Sequence, residues 1–201
     1  MQQRSEEWFA ARCGHITASR LHAATAKSTR GNYLAGRQDV VWQVIEERLT
    51  NVPVQIFETV AMRWGAETEP QAIAALEFMS GVVVQPAGYV SHPTIPMTGA
   101  SPDGLIGDDG LVEVKCPTTR THLQTLLAGR APEQHRAQMQ WQMACTGRDW
   151  CQFVSFDPRL PTDYQLFLDL EVRDEDEISR LTAEIAALED EIQKLMETIK
   201  P

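Results

Sequence analysis

No apolar run in this chain approaches the ~20 residues that a membrane-spanning helix needs. The start, Met1 to Glu7, is polar and charged and lacks the hydrophobic region of a signal peptide. Four cysteines, Cys13, Cys116, Cys145 and Cys151, form no C-x-x-C pair. Reduced thiols in a cytoplasmic protein are therefore expected, with Cys13 and Cys116 at core positions, and the clustered ligands of an iron–sulfur site are missing. A general excess of positive charge is missing too: the net charge is −10, which argues against loose, nonspecific coating of nucleic acid. The charge is uneven, however. Residues 174–201 hold nine acids against three bases, whereas residues 1–37 bring Arg4, Arg12, Arg20, Lys27, Arg30 and Arg37 against only Glu6 and Glu7. What remains is ordinary: 201 residues, 43% hydrophobic and 23% charged, suit one domain with a sizeable core, or one domain plus an appendage.

One stretch organises the rest. Gly99-Ala100-Ser101-Pro102-Asp103-Gly104-Leu105-Ile106-Gly107 and Leu111-Val112-Glu113-Val114-Lys115-Cys116-Pro117 read as the two arms of a β-hairpin. Gly107-Asp108-Asp109-Gly110 supplies the turn, because Asp and Gly accept the positive-φ positions of tight hairpin loops. Side chains alternate along a strand, so Val112, Val114 and Cys116 share the core face while Leu111, Glu113 and Lys115 share the other. Burying Glu113 and Lys115 on an otherwise apolar strand is costly unless something compensates them. A three-residue tip sets Asp103 opposite Glu113, about 5 Å away across the ladder. Two carboxylates that close repel each other as anions unless a divalent cation lies between them. The pattern thus describes a metal site of oxygen ligands beside a lysine, suited to Mg²⁺ or Mn²⁺. The lysine is placed to orient or deprotonate an attacking water, or to stabilise charge in a phosphoryl-transfer transition state. Taken alone, the stretch reads equally as a surface hairpin with a Ser-Pro-Asp-Gly turn and a solvated Glu–Lys pair.

Along the chain, Ser5 and the acids Glu6 and Glu7 open a short helix running to about Arg12. Thr17 or Ser19 then caps a second helix; a Ser there with arginines nearby reads either as a plain cap, which the spacing favours, or as a phosphate cradle. Val40, Val41, Val44, Ile45 and Leu49 follow helical spacing over roughly 38–50, and Asn51 to Phe57 reads as a loop. A helix at about 62–80 presents Ala72, Ile73, Leu76 and Met79 on one face. Its Pro70 fits best near a first turn. Val82-Val83-Val84 opens a strand running through Tyr89-Val90 to Pro93. Helices follow the hairpin at about 119–128 and 132–146, then strands over Trp150–Phe156 and Tyr164–Val172 around the Asp157-Pro158-Arg159 turn. Helices around a mixed sheet make an α/β or α+β layered domain, residues 1–173. In the tail, 174–201, Ile178, Leu181, Ile185, Leu188, Ile192, Leu195 and Ile199 repeat at spacings of three and four. Such a seam must pack on its own body, a second copy or a partner; docking on the body is expected.

Several segments, in order and at compatible intervals, resemble one family. They are Glu7-Trp8-x-x-x-Arg12-x-Gly14-x-Ile16-Thr17-Ala18-Ser19, Trp64-Gly65-x-x-x-Glu69, Ala100-Ser101-Pro102-Asp103-Gly104-Leu105, Glu113-Val114-Lys115-Cys116-Pro117, the glutamines Gln138 and Gln140, and Phe156-Asp157-Pro158-Arg159. The chain resembles the λ-exonuclease or YqaJ-type viral alkaline exonucleases of the Pro-Asp…(Asp/Glu)-x-Lys nuclease superfamily, across nearly all of residues 5–173. The resemblance implies a restriction-endonuclease-like core, with a central mixed β-sheet flanked by helices and, here, a C-terminal heptad helix appended. It implies Mg²⁺-dependent 5′→3′ digestion of one strand of linear double-stranded DNA, leaving 3′ single-stranded DNA for phage-type recombination in a bacterial host's cytoplasm. A ring of three subunits and a single-strand annealing partner are also implied.

By the same resemblance, Asp103, Glu113 and the Val114 carbonyl hold metal, Lys115 positions the nucleophilic water, and Glu69 completes the acidic cluster. Arg12, Ser19, Ser101 and Gln138 match positions that hold a 5′-phosphate. Read from the residues alone, Ser101 is also a turn residue, Gln138 a helix-surface residue and Arg12 an ion-pair partner of Glu6 or Glu7. Pro70, directly after Glu69, can bend the helix there and so leaves the orientation of Glu69 open. Two other readings are an endonuclease of the same core and a catalytically silent DNA-binding or assembly protein. Intact Asp103, Glu113 and Lys115 weigh against the last.

Overall fold

The computed structural model describes residues 2–54 and 59–200; the expected 51–57 loop lies outside them from residue 55 onward. Seven helices are described: α1 Glu6–Arg12, α2 Leu21–Thr25, α3 Gly36–Thr50, α4 Val60–Ser80, α5 Thr119–Ala128, α6 Arg136–Thr146 and α7 Glu175–Thr198. The strands are β1 Ile16–Thr17, β2 Val84–Gln85, β3 Val90–Ser91, β4 Thr98–Ala100, β5 Gly104–Ile106, β6 Gly110–Lys115, β7 Trp150–Phe156 and β8 Leu166–Val172. Caps set many of the helix ends. Ser5, Thr59 and Thr118 each accept a backbone N–H three residues on, and Asp174 accepts those of Asp176 and Glu177. Gly81, Gly129 and Gly147 close α4, α5 and α6 in the left-handed region. Among the described residues no helix is long and apolar enough to cross a membrane.

The central sheet has five strands in the order β2-β5-β6-β7-β8. It is mixed: only β6 and β7 run parallel, and the crossover between them contains α5 and α6. The hairpin register pairs Gly104 with Val112 and Ile106 with Gly110 across a three-residue tip. One face, with Val112, Val114, Val154 and Phe156, packs on Ala72 and Leu76 of α4. The other, with Leu111, Cys151 and Phe153, packs on Met139 and Met143 of α6. The α/β core expected from the sequence is thus present, with the two faces of β6 divided as alternation requires. A Cβ at Gly104 would collide with Val84 of β2 and Val112 of β6, whose side chains close in from the two flanking strands.

Several local expectations are corrected. Gly99 and Ala100 do not belong to the hairpin arm: β4 pairs with β1 and β3 in a separate three-stranded sheet, and the chain changes sheets at Ser101-Pro102-Asp103. The single strand expected from Val82 to Pro93 is divided in the same way, with β2 in one sheet and β3 in the other. Neither Thr17 nor Ser19 makes a side-chain cap, because a 3₁₀ turn over Ala18–Arg20 leads into α2. Pro70 lies in the middle of α4, which continues through it. Having no N–H, it leaves the Ala66 carbonyl without its usual helical donor. Leu49 and Met79 point to solvent, 60% and 68% exposed. Cys13 and Cys116 are only half-buried, whereas Cys145 and Cys151 are buried.

The tail seam docks on the body. Ile178, Leu181, Ile185, Leu188 and Ile192 are buried in one core with residues of α2, α3 and α6, and Leu195 packs at its edge. Ile199 stays half-exposed. Ion pairs flank that core: Lys27 and Tyr33 bond Glu184, Arg37 bonds Glu191 at 2.7 Å, and Arg48 bonds Glu189 at 2.7 Å. The acidic tail therefore neutralises Lys27 and Arg37 of the basic N-terminal segment and Arg48 of α3. Burying five Leu and Ile side chains contributes on the order of 10 kcal/mol at 1.5–3 kcal/mol each, as large as the net stability of many domains. Residues 1–173 alone should therefore fail to give the cooperative thermal transition of the full chain; an unchanged melting temperature would show that α7 is dispensable.

Glu47 ties α3 to the N-terminal segment. It is 4% exposed and accepts from the Gly14 amide at 2.9 Å, the Val54 amide at 3.3 Å and both Arg20 Nη atoms at 3.0 and 2.6 Å. Burial raises its pKa, but Arg20 and the two amides outweigh burial and hold it below the ordinary carboxylate value. Glu47→Gln should cost roughly 3 kcal/mol near neutral pH, because it leaves the Arg20 charge uncompensated. A carboxyl with a lowered folded pKa stabilises fully above its unfolded value of about 4.3 and loses that contribution as pH falls through the folded value. Urea melts of the two proteins should accordingly differ most near pH 7 and converge in acid; a constant difference would exclude the charge as the cause.

Candidate active site

The hairpin, α4, α6 and the N-terminal segment enclose a cleft of about 660 Å³. Asp103 lies directly before β5, past the terminal Gly104–Val112 pair of the hairpin, and does not pair with Glu113 across the ladder as expected. Its amide donates to the Val112 carbonyl at 3.1 Å, and its Oδ2 accepts the Val114 amide at 2.7 Å. Glu113 is 1% exposed. Its Oε1 accepts from Lys115 Nζ and from Gln138 Nε2 at 2.7 Å, and its Oε2 accepts from Gln142 Nε2 at 2.6 Å. Glu69, on α4, lines the same cleft and pairs with Arg4 Nη2 at 3.5 Å. The Asp103, Glu113, Lys115 and Glu69 expected from the sequence are therefore brought together, and Pro70 does not turn Glu69 away.

The electrostatics follow from burial. Asp103 is raised well above its ordinary pKa, first by burial and then by the Glu113 charge. Glu69 is raised by burial against the opposing Arg4. For Lys115, burial favours the neutral amine, but Glu113 and Asp103 override it and hold the ammonium. Three carboxyl groups share the cleft with Lys115, Arg4 and Arg12; a cation bound between Asp103 and Glu113 would relieve the burial and repulsion that raise Asp103. Among the described residues no three His, Cys, Asp or Glu side chains close around a common point. The donors on offer are the carboxylates of Asp103 and Glu113 and the backbone of Val114. That open oxygen set fits Mg²⁺, which is typically held by one or two carboxylates with waters and substrate phosphates rather than by an all-protein cage.

A second group lies in the same cleft. Arg12, at the end of α1, donates to Ser101 Oγ at 2.9 Å and to Ser19 Oγ at 3.5 Å. Its guanidinium stacks 4.0 Å over the Trp8 ring, and Trp8 Nε1 donates to Ser101 Oγ at 3.0 Å. Burial, then neighbouring Arg20, lowers the Arg12 pKa to about 10. The structure therefore joins Arg12, Ser19 and Ser101, and Arg12 spends these donors on serines rather than on Glu6 or Glu7. Gln138 is neither a bare surface residue nor bonded to this group: it lines the cleft but donates to Glu113.

Sequence reading alone missed Gln142 and gave no contacts for Gln140, Asp157 and Arg159. For Gln142, the four-residue spacing from Gln138 puts both on one face of α6 and was a usable signal. Gln140 points the other way, donating to Glu171 at 2.6 Å and the Val172 carbonyl at 2.8 Å. Asp157 accepts from Arg159 Nε at 2.7 Å. Burial raises its pKa, but Arg159 outweighs that and brings it to about 2. Arg159 also stacks 4.3 Å over Trp64 of α4 and donates to the Pro117 carbonyl at 3.2 Å. The segment after β7 thereby braces the helix carrying Glu69 against the loop that follows Lys115.

This fold and cleft define a nuclease of the viral recombinase type. The sequence matches the YqaJ-like viral recombinase domain over residues 7–149, and the chain belongs to that family. It is similar to an alkaline exonuclease, LHK-Exo, from Laribacter hongkongensis: 44% identity, TM-score 0.90, covering 97% of this chain and 96% of that one. LHK-Exo in complex with dAMP matches at 43% identity and TM-score 0.91, covering 98% of this chain and 96% of that one. A phage-related exonuclease from Haemophilus somnus 129PT shares the fold at 15% identity and TM-score 0.71, covering 92% and 96% of the two chains. No curated protein matched.

Proposed function

We propose that this protein is an Mg²⁺-dependent 5′→3′ exonuclease that digests one strand of linear double-stranded DNA, leaving 3′ single-stranded DNA for phage-type recombination. The observation that carries the reading is the presence, in one cleft, of the Asp103–Glu113–Lys115 group and the Arg12–Ser19–Ser101 group. Asp103, Glu113 and the Val114 carbonyl would hold Mg²⁺, or Mn²⁺, with Glu69 completing the acidic cluster. The bound ion would supply Lewis-acid stabilisation of the phosphoryl oxygens. Lys115, as an ammonium, orients the attacking water and meets the charge that develops on the phosphorus oxygens. Loss of this group by Lys115→Ala should lower turnover a hundredfold or more while Mn²⁺ and DNA binding persist. Near-normal turnover would remove Lys115 from the mechanism.

A 5′-terminal phosphate carries up to two negative charges, one more than an internal phosphodiester, so a terminus can be selected by charge and hydrogen-bond count. Arg12 offers a bidentate guanidinium, with Ser19, Ser101 and Gln138 as further polar partners. The relative solved with dAMP supports a site that accepts a nucleotide's phosphate. Arg12→Ala should slow digestion of 5′-phosphorylated duplex much more than that of 5′-hydroxyl duplex. Equal slowing on both substrates would show that Arg12 does not read the terminus.

From the family resemblance we extend the proposal to a trimeric ring, a single-strand annealing partner and a bacterial host's cytoplasm. The direct test incubates linear and closed-circular duplex with Mg²⁺, with and without chelator. Only the linear form should be degraded, and only without chelator. Degradation of circles would indicate an endonuclease, and no degradation a silent binder.

A further inference from the structure

The carboxylate of Glu113 offers about four lone-pair sites. Lys115 and Gln138 occupy both on Oε1, and Gln142 occupies one on Oε2. One site is left, and it belongs to Oε2. Gln142 is fully buried on α6 and donates at 2.6 Å, while its own Oε1 lies 4.0 Å from the buried Cys151 thiol. An ionised carboxylate only accepts, so the amide must turn Nε2 to Glu113, which leaves its Oε1 toward the thiol. A neutral amide, unlike a second cation, holds the carboxylate without cancelling its charge.

Resting on the Mg²⁺ reading above, we infer that Gln142 is a positioning residue: it fixes the plane of the Glu113 carboxylate so that the free Oε2 lone pair is presented to the divalent cation. Carboxylate ligands generally depend on such outer partners, whose removal costs 10- to 100-fold in metal affinity or activity. Gln140 provides an internal comparison. It is equally buried on the same helix, but its bonds go to Glu171, the Val172 carbonyl and the Asp174 amide. It supports the fold without touching Glu113.

The experiment is calorimetric titration of Mn²⁺ into the full-length protein without DNA, beside thermal melts of each variant. Gln142→Met keeps the side-chain length and removes the donor. It should weaken Mn²⁺ binding roughly tenfold or more, whereas Gln140→Met should lower the melting temperature and leave Mn²⁺ affinity near wild type. Wild-type affinity in Gln142→Met overturns the inference, and so does an equal loss in both variants. Gln142→Leu is read in place of the Met variant if that one does not fold. Absence of a cooperative melt in both would assign Gln142 to folding and also overturn the inference. Asp103→Asn separates the two readings. If it binds Mn²⁺ like wild type, or wild type itself binds none, the metal-site reading fails; if only Gln142→Met matches wild type, the Gln142 inference alone fails.

Discussion

A carboxylate buried in the middle of a β-sheet is the constraint that the rest of this protein accommodates. Glu113 sits on β6, between β5 and β7, at 1% exposure. An isolated charge there would be strongly unfavourable. Its compensation comes from two directions: Lys115, two residues along the same strand face, and the amides of Gln138 and Gln142 on the helix packed over that face. The position of α6 therefore follows from polar satisfaction as much as from the apolar contacts of Met139 and Met143. The crossover that carries α5 and α6 between the parallel strands β6 and β7 brings those amides back over the carboxylate.

The change of sheet at Ser101-Pro102-Asp103 is the second organising feature. It gives adjacent residues different partners. Ser101 meets Arg12 and Trp8 from α1, while Asp103 is bonded to the backbone of Val112 and Val114. Two residues of chain thus connect the Arg12–Ser101 group to the acidic group. Gln3 reinforces the junction, donating to the Pro102 carbonyl at 2.6 Å. The N-terminal segment that supplies Arg12 is in turn held by Glu47, and α3 is held by the tail helix through Arg37 and Arg48. The tail is remote in sequence from the cleft yet belongs to the same chain of support.

Charge distribution has a structural meaning that net charge conceals. The acids of α7 meet Lys27, Arg37 and Arg48. Arg12 is not consumed in this way; it faces the cleft, stacked on Trp8. An acidic protein can in this way keep a local cationic group.

Properties that depend on neighbouring residues were legible in the sequence. The hairpin register follows from a three-residue tip and from side-chain alternation, both local. The ends of α1, α5 and α6 follow from Ser5, Thr118, Gly129 and Gly147 in the same way. The buried seam of α7 follows from its periodicity, although its docking surface does not. Only tertiary structure decided where long-range partners meet. It divided Gly99–Gly107 between two sheets, because β4 has β1 and β3 as neighbours and β5 has β2 and β6. It turned Gln138 and Gln142 to Glu113 and Gln140 to the opposite side, because α6 is fixed by packing on both the sheet and α7. It exposed Leu49 and Met79 despite their helical spacing, because a periodic stripe is buried only as far as a partner extends over it. Pro70 could be kept in the middle of α4 for a related reason: packing of Ala72 and Leu76 on the sheet holds the helix where local propensity alone would break it.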